Sequence, residues 1–141
     1  MSYKNIMLAL DLGDNTQAVL DKSEQVAAAY PNAKLNIIHV NMDFEDYDFG
    51  IMDIDLTEYE NKEYHASVLA MREQIQNMNV QVHKYLVCCG VVENEIRHSV
   101  KEYGIDLLIM GHHKTNALTQ FFSESGALMR NMPCDVLLLK I

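Results

Sequence analysis

Between Asp106 and Asn131 the sequence reads DLLIMGHHKTNALTQFFSESGALMRN. An apolar run meets Gly111, a polar stretch carrying His112, His113, Ser123 and Ser125 follows, and a helix-like segment surrounds Gly126. Glycine lets backbone N–H groups approach a phosphate, and the first turn of a helix adds a partial positive charge. The chemistry on offer is anion binding, with the phosphates of a nucleotide as the natural occupant.

Other reactive side chains offer less. His112 and His113 are adjacent, so in a loop their rings diverge, and no nucleophile stands in an evident relation to either; hydrolysis is not indicated. Asp11, at the end of the first apolar run, is the carboxylate expected near a ribose or base, and its alternative is a turn acceptor within DLGDN. His39 sits in an apolar run and reads as a satisfied core histidine, while His65, His83 and His98 have no ligand spacing. Cys88 and Cys89 are neighbours and Cys134 stands alone, which fits neither a zinc site nor a disulfide framework. The carboxylates Asp43, Glu45, Asp46 and Asp48 fail the spacing of a calcium loop at Tyr47, so Asn41 to Asp55 is expected to be a solvated loop. No metal is expected.

These residues must be positioned by elements that the hydropathy pattern outlines. Ile6 to Leu10, Leu35 to Val40, Leu107 to Met110 and Val136 to Leu139 are short, nearly continuous apolar runs, the pattern of parallel strands covered on both faces. Val80, Val82 and Leu86 alternate within VQVHKYLV, which suits a fifth strand nearer an edge. Between them the period is helical. Val19, Val26 and Tyr30 share one face, and Pro31-Asn32 stops that helix. Tyr64, Val68, Met71, Ile75 and Met78 mark a second helix, which Thr57 and Glu60 open as a capping box. Ile96, Val100 and Tyr103 mark a third, closed by Gly104, and Phe121 to Asn131 a fourth that ends before Pro133. Alternating strands and helices imply an α/β fold, an open five-stranded parallel sheet with helices on both faces. Ligands in such folds sit beyond the carboxyl ends of the strands, here near Asp11 and Gly111.

Composition narrows the function classes. The chain has 141 residues, enough for one domain, here taken as 1–141, with a core that needs no staple. A net charge of −9 with 11 scattered basic residues repels a polyanion, so nucleic acid is disfavoured. No apolar run approaches the ~20 residues of a membrane span, and the N-terminus lacks the layout of a secretion signal. A cytoplasmic protein with reduced thiols is expected.

The segments YKNIMLALD, LNIIHV, DLLIMGHH and CDVLLLK, in this order along the whole chain, resemble the core pattern of the universal stress proteins. The likeness is greatest to the stress protein A branch, where GHH after the fourth strand and a tyrosine-bearing acidic loop after the second also occur. The resemblance implies a Rossmann-like sheet of order 3-2-1-4-5 and a homodimeric stress-response protein without committed catalysis. Members that bind ATP carry Gly-x-x-Gly, nine residues, then Gly followed by Ser or Thr. Gly111 matches the first glycine, but Lys114 and Glu124 fall on the other two, and Ser125 alone matches the hydroxyl. A loop two residues longer would put Gly126 in the last glycine's place, with Ala127 following.

A side chain at 114 narrows the turn, and Glu124 repels a triphosphate. The cradle therefore reads as degraded, and no resident cofactor is expected. The alternative is an ATP- or AMP-binding stress protein using the crevice between the first and fourth strands, lined by Asp11, Val40, Met110, Gly111, Ser125 and Gly126. With the implied order the last apolar run is an edge strand. An uncovered apolar edge invites pairing, so Val136, Leu137, Leu138 and Leu139 are the expected seam of an antiparallel two-fold dimer. The rival is a monomer whose edge is covered by the acidic insertion Asn41 to Asp55.

Overall fold

In a computed structural model the residues described are 2–10, 16–41, 54–55, 73, 75–89, 91–112 and 131–141. The elements are β1 (Asn5–Leu10), α1 (Thr16–Ala28), β2 (Lys34–Asn41), β3 (Ile54–Asp55), β4 (Val82–Cys89), α2 (Val92–Glu102), β5 (Leu107–His112) and β6 (Asp135–Lys140). The sheet order is β3-β4-β2-β1-β5-β6, and every pairing is parallel except β3 with β4. The five longer strands thus take the order 3-2-1-4-5. The sixth, β3, corrects the reading of the acidic insertion as loop throughout: Asn41 ends β2, and Ile54 and Asp55 pair with Val87 and Leu86. Of the expected second helix, Glu73 and Ile75 are helical, but Gln76 and Asn77 already form a turn and Met78 lies beyond the helix, which corrects its expected end; the rest of that helix, its capping box and, apart from Asn131, the fourth helix lie outside the described residues.

β1 shows why the central strands are apolar on both faces. Ile6, Leu8 and Leu10 pack into the cluster that holds Val19, Leu20 and Ala27 of α1, whereas Met7 and Ala9 pack with Val92, Ile96 and Val100 of α2. Each of Ile6, Met7, Leu8 and Leu10, fully covered, contributes ~1.5–3 kcal/mol, and Ala9 less. A strand with helices on one face only would have alternated. Outward from the centre the burial weakens, and β6 is only partly covered.

Register is set at the amino ends of the strands by Asp106. Its carboxylate accepts the Lys4 N–H at 2.8 Å and the Asn5 N–H at 3.0 Å, while its own N–H donates to the Asn5 carbonyl at 2.9 Å. These bonds bring β1 and β5 together so that Leu8 faces Ile109. Inside the sheet Asn36 donates to the Ile6 carbonyl at 3.1 Å, which satisfies a buried amide.

The ends of α2 follow from local chemistry. At the C-terminus the Ile105 N–H donates to the Val100 carbonyl at 2.9 Å and the Gly104 N–H to Lys101 at 3.4 Å, with Gly104 at φ 60°. This double bond pattern with a left-handed glycine is the Schellman stop. Ile105 then packs in the same cluster as Val100, which adds the hydrophobic contact such stops commonly carry.

Candidate nucleotide crevice

The chain runs from β1 outward to β2 and β4, then crosses back to β5 on the other side of β1. Connections leave β1 and β5 in opposite directions, which opens a crevice at their carboxyl ends. Leu10 lies beside His39, and Ala9 lies between Ile38 and Met110.

Val40 and Met110 reach the same side of the sheet. Both pack on the cluster of Ala9, Ile38 and Val92, Met110 wholly buried and Val40 half-buried. Met110 is wholly covered by the chain, whereas Val40 retains exposed surface. Gly111 does not join them. It is a residue of β5, not of the loop after it, and a β-carbon built on it would lie 2.7 Å from Cγ2 of Val19 on α1. Its missing side chain is therefore accounted for by the close approach of α1 to β5. β5 runs two residues past the apolar run Leu107 to Met110 and ends at His112. Asp11, Ser125 and Gly126, with His113, Lys114 and Glu124, lie outside the described residues.

His39 is a satisfied core histidine. It is 8% exposed, and its Nδ1 lies 2.9 Å from the Leu10 carbonyl oxygen. With a carbonyl as acceptor, Nδ1 carries the proton. The ring thereby ties the end of β1 to β2 at the lip of the crevice, a role its place in an apolar run does not announce.

The electrostatics at this end of the sheet do not favour a polyanion. α2 follows β4, so its amino end lies on the carboxyl side of the strands; its cap residue, Val91, provides no side-chain hydrogen bond. Glu93 and Glu95 stand in its first turn. Carboxylates there complement the helix dipole and repel an approaching phosphate.

Cys88 and Cys134 are not in a disulfide, and burial pushes the Cys134 thiol up to about 11. Among the described residues no group of three or more His, Cys, Asp or Glu is arranged to hold a metal ion, and no helix is long and apolar enough to cross a membrane.

The family model of the universal stress proteins matches residues 2–140. The chain belongs to the universal stress protein family. Over its full length it is 28% identical to universal stress protein A of Yersinia pestis, of which the match covers 94%. Two solved relatives share the fold. A universal stress protein in complex with cAMP superposes with a TM-score of 0.67 at 18% identity, covering 99% of this chain and 98% of the other. The universal stress protein of Archaeoglobus fulgidus in complex with dAMP gives 0.62 at 13% identity, covering 99% and 100%. The Rossmann-like sheet is common to them and to this stress protein.

Proposed function

We propose that this universal stress protein acts as an A-type, homodimeric stress-response protein of the cytoplasm, with a degraded nucleotide cradle and no committed catalysis. The observation that carries this reading is the contact of Gly111 with Val19. Gly111 is the one glycine of the ATP pattern that the sequence keeps in strict register, and helix packing is reason enough for it. Lys114 and Glu124 stand where the other glycines would be. Titration calorimetry with Mg-ATP tests the reading: weak or absent binding is expected, and a dissociation constant in the low micromolar range or below overturns it.

The cAMP and dAMP complexes of the structural relatives favour a second reading, an adenine-nucleotide binder that uses the same crevice. In that case Val40, which retains exposed surface, lies against the base with Met110 behind it, and the smaller charge of AMP suits the acidic surroundings better than ATP. Calorimetry with AMP separates the two readings.

The dimer rests on β6. Among the described residues no strand pairs with its outer edge, and Leu138 is 40% exposed. The end of the acidic insertion, Ile54–Asp55, pairs with β4 at the opposite edge, which argues against that insertion as the cover for β6. A second copy of β6, with Val136 to Leu139 along the seam, would complete the ladder.

A further inference from the structure

A second concavity lies at the other end of the sheet, beside the amino ends of β1, β2 and β4 and the last turn of α1. Its volume is about 400 Å³, within the range of small-molecule sites. The floor is apolar, made by Ile6, Ala27 and Leu35, and Tyr30 and Pro31 line it from the segment after α1. Lys34 and His83 line it from β2 and β4, and Asn79 and Gln81 from the segment before β4.

Two features set these groups in place. Leu35 pairs with Val82 whereas Asn36 pairs with Lys84, so His83 is the extra residue of a β-bulge. A bulge redirects the side chain it carries, and here His83 lines the concavity together with Leu35, its neighbour across the ladder. The walls are also braced. Tyr30 packs edge-to-face on Tyr3 with ring centroids 5.1 Å apart, and Glu24 accepts the Asn79 N–H at 3.0 Å and its Nδ2 at 3.4 Å.

The geometry points to a binding site for a small organic monocarboxylate, its apolar body on Ile6, Ala27 and Leu35 and its carboxylate at Lys34 and His83. One ammonium and one imidazole supply donors for a single negative charge. A phosphate dianion is disfavoured by Glu24 beside Asn79 and by the net charge of −9. The negative end of α1 is blunted, because the Val26 and Ala27 carbonyls accept the N–H groups of Ala29 and Tyr30 at 3.1 and 3.0 Å. The site is independent of the nucleotide crevice, which lies at the opposite ends of the strands.

The test is a two-dimensional amide NMR titration of the full chain with benzoate and, separately, with neutral benzamide. Saturable shifts in residues 27–35 and 79–83 are expected with benzoate, at a dissociation constant on the order of 1 mM for a ligand of about nine heavy atoms. Benzamide binds about fivefold more weakly, the effect of one lost charge-assisted hydrogen bond. Lys34→Met, at an exposed position, keeps the fold and abolishes the preference for benzoate. Absence of saturation by benzoate, equal affinity for benzamide, a preference that survives Lys34→Met, or shifts confined to other parts of the sheet would each overturn the assignment.

Discussion

Val19 Cγ2 stands 2.7 Å from the point where a β-carbon on Gly111 would sit, closer than real β-carbon contacts allow. The first turn and a half of α1 and the end of β5 meet there with no room for a methyl group. Gly111→Ala is expected to cost about 1–3 kcal/mol, as overpacking does, read as a lower urea midpoint at unchanged m-value. Trimming the partner relieves the clash, so Val19→Ala combined with Gly111→Ala costs less than the sum of the single changes. Strict additivity would refute the contact.

Gly104 is a glycine for a different reason. Nothing lies within 4 Å of a β-carbon built on it, but its φ of 60° is left-handed. Gly104→Ala therefore costs about 1–2 kcal/mol of backbone strain with no steric term. Gly104→Asn falls between glycine and alanine, because asparagine tolerates this conformation. Equal midpoints for the alanine and asparagine variants would count against this origin.

Cys134 gives the fold an alkaline weakness. Burial raises its thiol from 9.0 to about 11, with Asp135 and Asp106 adding to the rise and a hydrogen bond from the Leu108 backbone opposing it. The native state thus holds this proton more tightly than the unfolded chain. Its contribution is intact below pH 9 and is lost as pH climbs from 9.0 toward 11. The side chain is half-buried, so the loss stays below about 2 kcal/mol. Urea midpoints for wild type and Cys134→Ser, followed from pH 8 to 11, should diverge above pH 9 with wild type falling faster. Parallel curves would disprove the effect.

Assembly is read by sedimentation equilibrium. The wild type is expected at twice the chain mass of 16.1 kDa at micromolar concentration, and Leu138→Lys at the single-chain mass. Leu138 is exposed on an edge strand, so the lysine leaves the fold of the single chain unstrained while placing like charges at the seam. A wild type at the single-chain mass would rule out the dimer.

Much of this stress protein was legible in local patterns. The runs Ile6 to Leu10 and Leu107 to Met110 announce strands buried on both faces, because only such strands dispense with polar residues. Gly104 announces where α2 stops, since it acts on its own backbone angles, whereas Pro31-Asn32 sets only an outer bound for α1, which ends at Ala28, before Tyr30. These signals need no distant partner to be interpreted.

What the tertiary structure alone decided depends on residues far apart in the chain. The glycine at 111 matched a phosphate-binding pattern, yet its surroundings are filled by Val19, which no spacing around Gly111 reveals. Ile54 and Asp55 have no strand-like run of their own and become β3 because β4 has an open edge beside them. His83 lines a concavity because β4 slips by one residue against β2 between Leu35 and Asn36. Periodicity along one segment records which face is buried, but register, edge and clash are relations between segments, and only the packed chain sets them.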